Sequence, residues 1–170
     1  MTGYVALLRA VNVGGTGKLP MAELKRMGEE AGFEAVSTYI ASGNLLFRSD
    51  RDEAQVRAAI EKPLAAFAGK PVGVHVRTAA ELAAVLARNP FADRAPNRVL
   101  ATFLEGPVGP HLLERVLHQA DEEIALGERE IFIHYGDGMG QSKLRIPAAE
   151  SGTARNMNTV AKLAELAGKL

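Results

Sequence analysis

Cysteine is absent from the 170 residues, which excludes disulfides, thiolate metal sites and a cysteine nucleophile. Missing too is any apolar run approaching the ~18 residues of a membrane span. The N-terminus, Met1-Thr2-Gly3-Tyr4, leads straight into an apolar strand without the basic, apolar and small-residue order of a signal peptide. A cytoplasmic protein that does not enter a membrane is the expectation. No charge of one sign dominates, since Lys+Arg and Asp+Glu are both 20. Up to Val85 there are 10 basic and 9 acidic residues, and beyond it 10 and 11. Proteins that grip phosphate backbones usually carry a basic excess, so this balance argues against a general nucleic-acid binder. His75, His111, His118 and His134 lack metal-ligand spacing: His111 and His118 share a segment but have no partner three or four residues away. No metal site is expected, and the sequence does not identify a cofactor.

What is present fits one domain or two small halves with an ordinary apolar content of 47% and 24% charged residues. Tyr4 to Val13 reads as a central strand. Met21, Leu24, Met27 and Ala31 recur at helical spacing after Pro20 and stop at Gly32, a C-terminal cap residue. Val36 to Ile40 and Leu45 to Phe47 are β-rich and flank the turn chemistry of Ala41-Ser42-Gly43-Asn44. A helix over about 52–68 places Val56, Ile60, Leu64 and Phe67 on one face, with Pro63 expected to kink or restart it. Pro71 to Thr78 alternates, with Val72, Val74 and Val76 inward and His75 and Arg77 outward, as in a half-exposed strand. The order β-α-β-β-α-β is the split βαβ plan of ferredoxin-like folds.

Thr78 and Glu81 then form a capping box for a connecting helix that ends at Asn89-Pro90. Beyond Ala95-Pro96-Asn97 the plan restarts: a strand from Val99 to Leu104, a helix from Pro110 to Ala120, and a hairpin of Ile124 to Leu126 with Glu130 to Tyr135. A last helix begins near Thr153, and no final strand is evident. The expectation is an α+β fold of two ferredoxin-like subdomains, the second incomplete: residues 1–78, a connecting helix and linker over 79–97, and residues 98–170 ending in the C-terminal helix.

Four segments carry a resemblance to a known family. They are Leu7-Leu8-Arg9-Ala10-Val11-Asn12-Val13-Gly14-Gly15, Thr38-Tyr39-Ile40-Ala41-Ser42-Gly43-Asn44-Leu45-Leu46-Phe47, Asp137-Gly138-Met139-Gly140 running on to Ser142-Lys143-Leu144, and Thr153-Ala154-Arg155-Asn156-Met157-Asn158-Thr159-Val160 with Lys162-Leu163. In order along almost the whole chain, they resemble the bacterial domain-of-unknown-function family 1697. The resemblance implies a two-part α+β fold and no particular reaction. Members usually have Gly where Ala10 stands and an aromatic, commonly Trp, at the position of Met157. The first departure implies a less permissive strand exit, and the second removes a stacking group from the last helix.

Gly14-Gly15-Thr16-Gly17-Lys18 looks like a phosphate loop, but Asn12 and Leu19 occupy two of its defining positions. Gly14 and Gly15 are then a glycine-permitted connection that continues the strand exit. Arg9 and Asn12 lie on opposite parities unless the backbone bends. Either Arg9 meets a carboxylate and Asn12 caps the turn, or the two present a cation and an amide to a ligand at the strand's end. Ser42 would need a base to act as nucleophile, and no histidine falls in the N-terminal motifs. With Asn44 it reads as turn chemistry that also offers neutral hydrogen-bonding groups. Near the C-terminus Thr153 reads as an N-cap, with Arg155, Thr159 and Lys162 on one polar helix face. Residues 143–162 hold Lys143, Arg145, Arg155 and Lys162 against the lone acid Glu150. That is either a solvated face or an anion site in which Asn156 joins the cations.

The functional expectation is a site for a small anionic ligand, a phosphate or carboxylate, between the first-strand exit and the last helix. Its residues are Arg9, Asn12, Gly14, Gly15, Ser42, Asn44, Lys143, Arg155, Asn156 and Lys162. Any catalysis there would work by electrostatic stabilisation, and no catalytic residue stands out. The alternative is an interaction module, either an RNA platform using exposed sheet aromatics or a self-associating homodimer.

Overall fold

Strand β1 (Thr2–Leu8) sits inside a four-stranded antiparallel sheet of order β2-β3-β1-β4, between β3 (Asn44–Ser49) and β4 (Val74–Thr78), with β2 (Glu34–Thr38) at one edge. The computed structural model describes residues 1–13 and 18–170. They divide into two compact units, one of residues 1–82 with 163–170 and the other of residues 83–162.

In the first unit, period-two alternation decides which side chains meet the helices. Tyr4, Ala6 and Leu8 of β1 share a face with Leu45, Phe47, Val74 and Val76, packed against Leu24 and Met27 of helix α1 (Met21–Glu30) and Val56, Ile60 and Leu64 of helix α2 (Glu53–Ala68). Phe33 stacks on Phe47 with ring centroids 4.1 Å apart, and Tyr4 follows at 5.6 Å. The opposite parity (Val5, Leu7, Leu46, His75 and Arg77) is buried as well. This corrects the half-exposed reading of β4: Arg77 is 1% exposed, and its Nη1 donates to the Val76 carbonyl at 3.0 Å.

Helix α2 begins with a capping box. The Asp52 carboxylate accepts from the Gln55 backbone N–H, and the Gln55 side chain accepts from the Asp52 N–H. The helix runs through Pro63 without restarting and ends at Gly69 in the left-handed region. Phe67, expected on the buried face, is 48% exposed. Phe67 lies three residues beyond Leu64 on the same helix face, so its exposure comes from its place in the last turn of α2, just before Gly69.

The second unit repeats the sheet order as β6-β7-β5-β8, built from β5 (Val99–Phe103), β6 (Glu123–Leu126), β7 (Glu130–His134) and β8 (Thr153–Asn156). The expectation of an incomplete second sheet is thus corrected. Thr153, read as a helix cap, pairs with Phe103, and Arg155 pairs with Ala101. Asn156 caps the last helix instead, its Oδ1 accepting from Thr159 N–H at 2.9 Å, so helix α4 spans Met157–Gly168. The helix expected over 110–120 is a 3₁₀ turn at Pro110–Leu113. Leu117 and Arg145 exchange backbone hydrogen bonds at 2.8 and 2.9 Å, and His118 at φ +57 is left-handed, so no helix continues there. Leu104, Ile131, Ile133 and Ile146 form the core beneath these loops. Helix α3 (Ala79–Arg88) carries the expected Thr78–Glu81 capping box. Among the described residues no helix is long and apolar enough to cross a membrane.

The turn before β6 is tied to the loop after β7 through Glu122. Its carboxylate accepts from Ser142 Oγ at 2.5 Å and from Ala120 N–H at 2.6 Å. The Ser142 hydroxyl first, and the backbone N–H groups after it, hold Glu122 below the usual carboxylate range. A depressed folded pKa contributes stability above the unfolded value of 4.5 and loses it as pH falls. Ser142→Ala is therefore expected to move the acid-unfolding midpoint, followed by circular dichroism, to higher pH. An acid limb identical to that of the unmodified chain would refute this tie.

Candidate functional site

The chain leaves β1 by turning sharply. Arg9 N–H still pairs with the Gly73 carbonyl at 2.9 Å, but Ala10 at φ +56 and Asn12 at φ +55 are both left-handed. The backbone bend that Arg9 and Asn12 required is present. Its second element is the turn before β3, where Ile40 at φ +51 and Gly43 at φ +93 are left-handed too. A Cβ on Gly43 would lie 2.6 Å from Val11 Cγ2 and 3.0 Å from Leu8 Cβ, so only glycine lets the two segments approach this closely.

Asn12 joins them. Its Nδ2 donates to Leu19 O at 2.9 Å and to Ala41 O at 2.8 Å, while Oδ1 accepts from Leu19 N–H at 2.6 Å. Both amide protons and one oxygen lone pair are engaged inside the protein. Asn44 works similarly: fully buried, it donates to Tyr39 O at 2.9 Å and to Ser42 Oγ at 3.2 Å. Asn12, Ser42 and Asn44 thus shape the loops by these bonds. Gly14 and Gly15 lie outside the described residues.

Beside this joint is a cavity of about 390 Å³ in the first unit. One wall is Arg9, Ala10 and Val11 with Lys18 and Leu19, another is the end of α2 at Leu64, Phe67 and Ala68, and a third is the Lys70–Gly73 segment entering β4. Three of these residues are cationic, and none of the described lining residues is acidic. Gly73 keeps the Arg9 side chain against the wall, since a Cβ there would meet Arg9 Cβ at 3.2 Å and Cδ at 3.4 Å. The carbonyl end of α2 adds roughly half a negative charge nearby, which three full cations outweigh. Lys18, Lys70 and Phe67 were not picked from the sequence as site residues. The available signal was Lys70 directly after the Gly69 helix stop, because a cation there continues the chain past the helix's negative end.

The C-terminal candidates lie in the second unit and are placed differently from expectation. Arg155 is on β8 and not on a helix, so the i, i+4, i+7 face with Thr159 and Lys162 does not form. It is 6% exposed, and its Nη1 donates to Thr153 Oγ1 at 2.7 Å and Ala154 O at 2.9 Å. Burial lowers its pKa to about 10. Lys143 is exposed, Lys162 is half-buried, and Asn156 is the cap of α4. Arg145 is paired with Glu150, which raises its pKa. Among the described residues no group of three His, Asp or Glu side chains could hold a metal ion.

These features define an α+β protein of two antiparallel four-stranded sheets, with a cation-lined cavity in its first unit. The chain belongs to the family described as a protein of unknown function, DUF1697, which matches residues 1–132. Its structure is similar to that of the conserved bacterial protein SP0830 from Streptococcus pneumoniae, with a TM-score of 0.81 and 26% identity over 99% of each chain. None of the curated proteins matches it.

Two substitutions test the joint. Ala10 stands where the resembled family usually has glycine, and a left-handed L-residue costs ~1–2 kcal/mol against an entropic cost for glycine of ~0.5–1 kcal/mol. Ala10→Gly is thus expected to raise stability in urea by about 0.5 kcal/mol, and a loss of stability would contradict the strain at this exit. Asn12→Asp removes both amide donors, leaves the Leu19 and Ala41 carbonyls without them, and should cost ~1–3 kcal/mol. An unchanged urea midpoint would show that the clasp holds nothing.

Proposed function

We propose that this chain binds a small anionic ligand in the cavity of its first unit, at the exit of β1. The observation that carries this reading is the convergence of Arg9, Lys18 and Lys70 on one concave site with no acidic side chain among its described lining residues. Cavities of this size with an apolar lining and a few directed polar groups are where small molecules bind. Arg9 offers a planar fork matched to carboxylate and phosphate oxygens, and the two lysines offer mobile point charges. The described lining contains no histidine and no carboxylate. Any reaction supported there would rely on charge stabilisation in preference to proton transfer. The part of the expected site that rested on Arg155 is not carried into this proposal, because that guanidinium is buried along its own strand.

On the same reading the first unit is a ferredoxin-like split βαβ, the second an incomplete one that lacks the crossover helices, and the protein is cytoplasmic. The order β1-α1-β2-β3-α2-β4 with sheet order β2-β3-β1-β4 supports the topology in the first unit. In the second unit 3₁₀ turns stand where the crossover helices would be. The RNA-platform alternative needs exposed aromatics on a sheet, whereas Phe47, Phe103 and Phe132 are at most 1% exposed. Nothing specific favours self-association over ligand binding.

Thermal denaturation in the presence of inorganic phosphate, with a chloride series at equal ionic strength, tests the proposal. Phosphate at ten times its dissociation constant should stabilise the native chain by about 1.4 kcal/mol, and Arg9→Ala, an exposed position, should abolish most of the shift. Equal shifts in the variant and the unmodified chain, or stabilisation by short RNA with none by phosphate, would overturn it.

A further inference from the structure

We infer that the ligand of this cavity is a phosphomonoester whose alcohol part is a ring-bearing, apolar group. This rests on the anion-site reading above and specifies its chemistry. Charge comes first. Arg9, Lys18 and Lys70 supply three positive charges. The carbonyl end of α2 returns roughly half a negative charge. A carboxylate, with one charge and two oxygens, can engage fewer of these cations than a phosphomonoester can. A phosphomonoester carries about −1.5 to −2 near pH 7. It also presents three oxygens, enough to serve a bidentate guanidinium and a lysine together.

The apolar part follows from α2. Along this helix Val56, Ile60 and Leu64 are at most 1% exposed, yet Phe67 is 48% exposed. Its ring stands at the cavity with Leu64 and Val72, both of which also line it. A ligand that carried only charge would leave this aromatic face in water. A flat ring laid against Phe67 would bury it in the offset geometry that aromatic pairs favour. At about 390 Å³ the cavity has room for one compact ring system with its headgroup. The cations and the aromatic face border one space, so headgroup and ring can be held at once. Gly73 serves the same end, because the close packing of Arg9 over it fixes where the headgroup's strongest partner stands.

Isothermal titration of the full chain with inorganic phosphate, phenyl phosphate and benzoate separates the two levels. The expected order is phenyl phosphate tightest, by about tenfold over phosphate, as burial of one ring face predicts. Benzoate should be weakest of the three. Phe67→Ala, at a half-exposed position, should bring phenyl phosphate down to the affinity of inorganic phosphate measured on the same variant. Phe67→Tyr should restore the difference. Phosphate and phenyl phosphate binding equally would overturn the ring-bearing ligand while leaving the anion site standing. Benzoate matching phenyl phosphate would overturn the phosphomonoester in favour of a monoanion. Binding of none of the three would overturn the anion site and this inference together.

Discussion

The side-chain amide of Asn12 is the interaction on which the described geometry of the first unit's loop end depends. It lies where β1 has just given up its ladder, and it bonds to two segments remote from each other in the chain, at Leu19 and at Ala41. Three left-handed non-glycine residues, Ala10, Asn12 and Ile40, cluster around it. Ile40 is the costliest, because a β-branched side chain rarely adopts that backbone. Such conformations persist only where surrounding bonds over-determine them. The clasp, the Asn44 bonds and the close approach at Gly43 provide that determination. The two segments that most clearly carried the family resemblance are thus stitched together physically.

This construction explains how a cavity lined by cations can persist beside a packed core. Leu8 and Val11 are anchored against the Gly43 turn, so the chain cannot slide back into the sheet. Arg9, between them, points to the side on which β4 begins. The core beneath is ordinary, with stacked rings at Phe33, Phe47 and Tyr4 and an aliphatic stripe on α2. It leaves the end of α2, with Phe67, beyond the sheet. The cavity lies where the last turn of α2, the exit of β1 and the segment entering β4 meet.

Much of this was legible in the residues. An apolar run gives β1, β-rich segments around turn chemistry give β2 and β3, and alternation gives β4, while the Thr78–Glu81 capping box starts its helix as the spacing demands. Arg9 is legible as a site residue from its place at the end of an apolar run. What could not be read came from tertiary choices. Thr153 has the chemistry of a helix cap, but so does Asn156, and pairing with Phe103 decided between them. Arg77 alternates like an exposed residue and is buried, because alternation reports parity and says nothing of what covers the far face. Leu117 sits in a helix-like pattern yet bridges to Arg145, a partner distant in sequence. Lys18 closes a segment that fails as a phosphate loop and Lys70 is an isolated lysine, and both gain meaning from the cavity they line with Arg9.

The measurement that most directly tests the central claim is a two-dimensional proton–nitrogen NMR titration of the full chain with inorganic phosphate. The account predicts saturable shifts confined to amides of the cavity wall, at Arg9, Ala10, Lys18, Ala68, Lys70 and Gly73, with Lys143 and Asn156 unmoved. Shifts centred on the segment from Lys143 to Lys162, or no saturable shift anywhere, would contradict it.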